Sequence, residues 1–409
     1  MRWIIFIILY IIVDLYAFQA FKTITKIQWV HYIYLLLSLI VLANLIYHIS
    51  TMNPSRGFST PTMFAMGFFL VLFVPKLLTV SFMIIEDIFR LLVGLYDRFL
   101  GSENNFSIPS RRKFISGFAL GLAAIPFLSL LYGMYKGKYR FRVLYYDLYF
   151  EDLPEAFEGY KITQISDIHS GSFDNHEKIS YAVDLVNKQK GDVILFTGDL
   201  VNNTADEMEG WQELFSSLKA QDGVYSVLGN HDYGDYVTWE SEKAKEQNLN
   251  DLKNLERAMG WDLLLNENRS ITRGDQKISI VGVENWGSGG FKKAGDIDTA
   301  AKDLTASDFK ILMSHDPSYW TEKLKIHPKN FQLTLSGHTH GMQFGIEIPG
   351  FIKWSPVQYR YKNWAGIYEH QKRIINVNRG FGFLGYPGRV GIWPEITSIT
   401  LRKGSKENV

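Results

Sequence analysis

The chain has 409 residues, 46% of them hydrophobic, with 43 basic against 42 acidic side chains and a formal net charge of +1. That near-neutral balance argues against nucleic acid as a partner. There is no cysteine, which removes disulfides, thiolate metal sites and cysteine nucleophiles together, so any metal must rest on histidine, carboxylate, amide or water ligands.

Four apolar runs come first: Trp3–Phe21, Trp29–Ile49, Thr62–Ile85 and Phe114–Met134. Each is near the ~20 residues that cross a bilayer as a helix, and none shows the polar face of a soluble helix. They predict a transmembrane helical domain over residues 1–136, with about four spans. Pro75 and Lys76 interrupt the third run. Asp14 and Lys76 are the only charges well inside the first three runs, and the first and third helices cross in the same direction. Isolated charges at membrane depth are costly, so these two are expected to pair. Just before the last run, "SRRKFIS" at 110–116 resembles a twin-arginine export signal placed internally. It points to a multi-pass protein of the cytoplasmic membrane whose following domain faces outward; plain anchoring of a helix end by two arginines is the alternative.

Beyond residue 136 the pattern changes to alternating strands and helices. "YKITQIS", "DVILFTG", "GVYSVLG", "KISIVGV", "FKILMSH" and "FQLTLSG" read as buried strands. Helical spacing at 176–190, 206–219 and 249–259 lies between several of them, which predicts one layered α/β domain over 137–409. The strand ends carry the chemistry. Asp167 and His169 follow the first strand, Asp199 the second, Asn230, His231 and Asp232 the third, His315 another, and His338 and His340 the last. Five of the ten histidines therefore fall at the carboxyl edge, where open α/β sheets bind ligands. So many oxygen and nitrogen ligands exceed one tetrahedral ion and suit two adjacent divalent ions. An imidazole-rich set favours Mn, Fe or Zn over Mg. A shared carboxylate such as Asp199 suits bridging, and two such ions hold a hydroxide as nucleophile and neutralise a phosphoryl oxygen. No P-loop and no G-x-S-x-G elbow is present, so neither nucleotide-driven transfer nor serine hydrolysis has support.

"SDIH", "GDLV", "GNHD", "SHDP" and "SGHTHG", in this order, resemble the calcineurin-like metallophosphoesterases, above all their membrane-associated bacterial branch. The likeness extends to the opening "LPEAFEGYKITQISDIHSG" and the closing "NVNRGFGFLGYPGRVGIWPEITSITL". It implies a β-sandwich of two mixed sheets flanked by helices. It also implies Asp167, His169 and His340 on one metal and Asn230, His315 and His338 on the other, with Asp199 bridging. His231 would protonate the leaving oxygen or donate to the phosphoryl group, and Asp232 would orient it. Two departures stand out: Met342 where relatives often have glycine, and Asn202 where many have aspartate, neither expected to touch a ligand.

The implied activity is phosphoester or diphosphate hydrolysis by a membrane-tethered enzyme. Tethering favours a phospholipid or lipid-linked diphosphate as substrate; a soluble phosphodiester is the alternative. A receptor or scaffold that binds metal without turnover is the other class, and the intact ligand set speaks against it. Oligomeric state has no sequence signature here. "GFGFLG" at 380–385 matches a dinucleotide fingerprint formally, but Pro387 stands where a helix should open, so it reads as a glycine-rich loop near the metal edge. Arg379 and Arg389 beside it are read as surface residues, with a phosphate clamp as the alternative. "WSPVQYRYKNW" at 354–364 reads as a packed loop, with a seat on the bilayer as the alternative.

Overall fold

The computed structural model describes residues 2–99 and 109–405. Its contacts divide into two units: one of membrane helices, and one comprising residues 53–60 together with everything from Lys136 onward.

The helical unit holds α1 (Arg2–Ile24), α2 (Gln28–Ser50), α3 (Thr60–Phe99) and α4 (Pro109–Tyr135), all long and apolar enough to cross a membrane. The third exceeds its expected length. It runs through Pro75 and past Ile85 as one helix of 40 residues, ~60 Å at 1.5 Å per residue. Pro75 has no N–H to give the Val71 carbonyl one turn earlier, a loss that transmembrane helices tolerate, and Thr79 Oγ1 adds a bond to the Pro75 carbonyl one turn later, at 2.9 Å. Past Ile85 the segment turns amphipathic, which is why hydropathy alone ended the helix early.

Asp14 and Lys76 do pair. Lys76 Nζ lies 2.6 Å from Asp14 Oδ1, and both residues are buried. Ser38 Oγ and Tyr34 OH donate to the same carboxylate oxygen at 2.7 and 3.0 Å. Lys76 also donates to Ser38 Oγ at 2.7 Å and Tyr10 OH at 3.2 Å. The two arginines of "SRRKFIS" have internal partners as well. Arg112 Nη1 sits 2.5 Å from Asp87 Oδ1 and 3.4 Å from Glu86 Oε2, and the Arg111 guanidinium lies 4.1 Å over the Phe89 ring.

The second unit is a sandwich of two six-stranded mixed sheets. The first runs β1 (Arg142–Phe150), β14 (Glu395–Lys403), β2 (Lys161–Ile165), β3 (Val193–Phe196), β4 (Val224–Ser226), β5 (Trp261–Leu263). The second runs β12 (Gly366–His370), β13 (Arg373–Val377), β9 (Leu333–Ser336), β8 (Lys310–Met313), β7 (Gln276–Gly282), β6 (Glu267–Arg273). Strands β2, β3, β4 and β5 pair in parallel, as do β7, β8, β9 and β13. A two-stranded hairpin, β10 (Ile346–Ile348) with β11 (Ile352–Trp354), belongs to neither sheet.

Side-chain alternation explains the layers. In β3, Val193 and Leu195 face the other sheet and meet Ile280, Ile311 and Leu333. Ile194 and Phe196 point the opposite way onto α5 (His176–Asn187), α6 (Gln212–Ser216) and α7 (Glu242–Ala258), packing on Val183, Phe215 and Leu252. The outer face of the second sheet is covered likewise by α8 (Ile297–Ala300) and α9 (Pro317–Glu322), with Leu312 and Val377 against Ala300 and Trp320. Both faces of the inner strands are thus buried, so β3, β8 and β9 read as short apolar runs. The parallel strands end on one edge.

Candidate metal centre

Each predicted site residue lies on that edge, two to six residues beyond a strand. The backbone there is unusual. Asp167, His169, Asp199, His338 and His340 all have positive φ, between 49° and 72°. Left-handed conformations cost L-residues roughly 1–2 kcal/mol each, and such strain clusters at functional sites. Here it turns consecutive side chains from the strand end into one cleft. Glycine makes room: a Cβ on Gly337 would meet Asp167 Oδ2 at 2.3 Å, and one on Gly229 would meet Asp199 Oδ1 at 2.2 Å.

Two groups of atoms able to ligate a metal result. Asp167, His169 and His340 bring theirs within 4.8 Å of one another, as do Asp199, His315 and His338. Asp199 Oδ2 links the groups, 3.1 Å from His315 Nε2 and 3.5 Å from His169 Nε2. The far nitrogens are held in place. His169 Nδ1 faces Asn202 Oδ1 at 3.1 Å, and His315 Nδ1 faces the Thr197 carbonyl at 2.7 Å. His338 Nε2 is held by Tyr361 OH at 2.8 Å and Asp316 Oδ2 at 3.3 Å, which leaves its Nδ1 for the cleft. His340 is the exception, because its Nδ1 faces a donor, the Arg389 guanidinium, at 3.1 Å.

The residues present fit divalent cations. Asn230 Oδ1 is buried without a hydrogen-bond partner. Buried polar atoms are otherwise satisfied almost everywhere in proteins. Tyr236 OH accepts from Asn230 Nδ2 at 2.8 Å and so turns the orphan oxygen away from itself. Burial works against charge on His315, yet the Asp199 carboxylate outweighs it and lifts the imidazole to about 10, so a cation bound there would have to displace that proton. Burial opposes charge on Asp199 too, but His315 and His231 hold it well below the carboxylate range. Burial pushes His169 and His338 down, toward the neutral form that ligates metals.

Several expectations need correction. Asp232 does not orient the His231 ring. Its carboxylate accepts from the backbone amides of Gly229 at 2.7 Å, Leu200 at 2.8 Å and Asp199 at 2.9 Å, tying two ligand loops together. Burial and the nearby Asp199 raise it to about 7. His231 is set instead by the Asn202 carbonyl, 2.7 Å from Nδ1, and by Tyr236, whose ring centroid lies 4.5 Å from its own. Asn202 therefore does touch a ligand, because it contacts His169. Met342 leaves its side chain exposed, at φ 55° where glycine carries no strain.

Arg379 and Arg389 are both buried, not surface residues. Arg379 is paired with Glu347 at 2.5 Å and with Glu395. Arg389 Nε donates to the Gly382 carbonyl at 2.9 Å, behind His340. The 380–385 loop lies on the metal edge, with Phe381 and Gly382 amides donating to the Ser166 and Asp167 carbonyls at 2.7 and 2.8 Å. The 354–364 stretch is largely packed, with Val357, Tyr361 and Trp364 in one buried cluster. Tyr236, Tyr361 and Glu207 had no sequence signal, and Asp316 was visible only as a neighbour of His315 in "SHDP". Glu207 accepts from the Asn202 and Asn203 amides at 2.5 and 3.0 Å and so fixes the loop that carries Asn202.

A mixed β-sandwich with carboxylate, imidazole and amide ligands gathered on one strand edge defines a metal-dependent hydrolase, here with a membrane-helix domain ahead of it. Residues 160–342 match the family described as calcineurin-like phosphoesterase, and residues 1–138 match that described as probable calcineurin-like phosphoesterase, transmembrane domain. The chain is 30% identical to an uncharacterized metallophosphoesterase of Bacillus subtilis, YkuE, over 72% of this chain and 98% of that one. It is 27% identical to a transmembrane protein with metallophosphoesterase domain from Danio rerio, over 67% of this chain and 60% of that one. The chain belongs to the calcineurin-like metallophosphoesterases. It is a membrane-associated hydrolase of phosphoester bonds that uses divalent metal.

Proposed function

We propose that the chain binds two divalent ions, Mn, Fe or Zn, and hydrolyses a phosphoester or diphosphate carried on a lipid. The position of Asp199 supports the pair: one carboxylate oxygen reaches a histidine of each ligand group. Asp167, His169 and His340 would hold one ion, Asn230, His315 and His338 the other, and Asp199 both. Ions so held supply a water of lowered pKa as nucleophile and positive charge for the phosphoryl oxygens.

The protein's own groups do the rest. Asn202 fixes His231 through Nδ1, which leaves Nε2 to carry a proton to the leaving oxygen or donate to the phosphoryl group. Asp232 holds the Asp199 and Gly229 backbones at fixed spacing. The lipid-linked substrate rests on the membrane helices in the same chain, and the placement of this unit outside the cytoplasmic membrane on the "SRRKFIS" stretch. A reporter active only outside the cytoplasm, fused to the C-terminus, tests the placement; activity of a cytoplasm-only reporter there reverses it. Elemental analysis of metal-replete protein should return about two ions per chain. None, or a single tightly held ion, would overturn the two-metal reading.

A further inference from the structure

The chain between His340 and Tyr361 leaves the metal edge and returns to it, because Tyr361 hydrogen-bonds His338. This excursion carries the β10–β11 hairpin and is the most apolar exposed part of its unit. Among the described residues there, six of the exposed large hydrophobics fall within 342–359: Met342, Ile346, Ile348, Phe351, Ile352 and Tyr359. Phe351 at the hairpin turn is 85% exposed and Tyr359 is 81% exposed. The remaining few are scattered singly from Phe58 to Ile326. Scattered apolar residues need no explanation, whereas a concentration does.

Under the hairpin lies a cavity of about 510 Å³, lined in part by Arg142, Tyr146, Phe351, Lys353 and Trp393. Its charges are uneven. Arg379 is neutralised by Glu347 and Glu395. Arg142 has no carboxylate within ion-pair distance among the described residues, and its guanidinium lies 5.8 Å from the centre of the Trp393 ring. Lys353 donates to the Ala365 carbonyl and lies 4.9 Å over the Tyr368 ring, again without a carboxylate. Arg360 rests 5.4 Å over Phe291. An apolar tip ringed by unneutralised cations suits the boundary between lipid phosphates and acyl chains.

The covalent chain puts a bilayer within reach. Arg142, in the wall of the cavity, follows the end of α4 at Tyr135 by seven residues, a span of at most ~25 Å when fully extended. Residues 53–60, which join α2 to α3, belong to the same unit as the hairpin. We infer that the 341–361 excursion is a membrane-contact element. Ile348 and Phe351 enter the interface of a phospholipid bilayer, and Arg142 and Lys353 take lipid phosphates. Docking of this kind rests on the membrane helices and not on the phosphoesterase chemistry. Its consequence for that chemistry is a cleft opened at the depth of lipid head groups, between His340 and Tyr361.

The absence of cysteine makes the test clean. Full-length Phe351→Cys and Tyr181→Cys, each spin-labelled, are reconstituted into phosphatidylcholine vesicles containing phosphatidylglycerol. The 351 label should be relaxed by oxygen and shielded from an aqueous nickel chelate, and the 181 label the reverse. Equal exposure of both labels to nickel would overturn the inference.

A second arm uses Phe351→Asp with bis(4-nitrophenyl) phosphate in solution and phosphatidyl-4-nitrophenol in vesicles. Hydrolysis of the lipid should fall about ten-fold, with the soluble ester unchanged; equal loss on both, or on neither, counts against docking. If the wild type hydrolyses neither ester, the phosphoesterase reading fails while the labels still decide the docking.

Discussion

Two buried polar clusters, one in each unit, solve the same problem in opposite ways. In the membrane bundle, Asp14, Lys76, Ser38, Tyr10 and Tyr34 satisfy one another, and no buried side-chain atom of the described helices lacks a partner. At the metal edge, Asn230 Oδ1 is orphaned and five residues sit in strained backbone. A closed network contributes to holding helices together and asks nothing of its surroundings. An open one is completed by something else. The difference separates a structural cluster from a site, although both are charged and buried.

Breaking the open cluster should have the largest effect. Asp199→Ala should lose metal and reduce turnover to background, because both ligand groups share that carboxylate. His231→Ala should lower turnover on the order of 10²-fold yet keep its metal content on elemental analysis. An empty site in the second variant would make His231 a ligand and remove it from acid catalysis. In the closed cluster, Asp14→Asn should cost about 3–5 kcal/mol, the usual result of stripping one partner from a buried pair. Asp14→Asn with Lys76→Met should then recover folded yield relative to the worse single variant. No recovery means the two charges do not depend on each other. Tyr236→Phe sharpens the comparison from the side of the site: it frees the Asn230 amide and should weaken metal binding ~10-fold, read by titration, with folding intact.

The smallest effect concerns a third buried group. Glu256 is fully buried and takes a hydrogen bond from Ser226. Burial first, then the nearby Asp232, raises its carboxyl to about 8. A raised carboxylate contributes stability that is complete below its ordinary pKa and lost as pH climbs through the folded value. Glu256→Gln should therefore match the wild type near pH 5 and exceed it above pH 8. Thermal unfolding curves that stay parallel across that range would remove the ionisation from the account.

Much of this was legible in the chain. Strands β2, β3, β4, β8 and β9 are short apolar runs bounded by glycine, serine or carboxylates, so their ends and the candidate ligands on them could be read directly. The Asp14–Lys76 pair could be read as well, since two lone charges in apolar runs have few other partners. What stayed hidden depends on contacts distant in sequence. Arg389 looks like any loop arginine until Gly380, Gly382 and His340 are folded around it. Asp232 sits beside His231 in sequence, yet its carboxylate turns to amides more than thirty residues earlier. The hairpin at 346–354 alternates weakly and joins neither sheet, so its pattern carried no sheet signal.

Residues 53–60 add a matter of timing. Arg56 meets Asp206 at 3.3 Å across 150 residues of sequence, and the Pro54 carbonyl accepts from the Thr238 amide at 2.9 Å. At roughly 5–20 residues per second of synthesis, this short connection waits on the order of ten seconds or more for its partners to leave the ribosome. By then α2 and α3, on either side of it, have met the insertion machinery. A chain threaded with this connection on the wrong side would deny the later unit a piece of itself, so correct insertion of the early helices becomes a condition for finishing the enzyme.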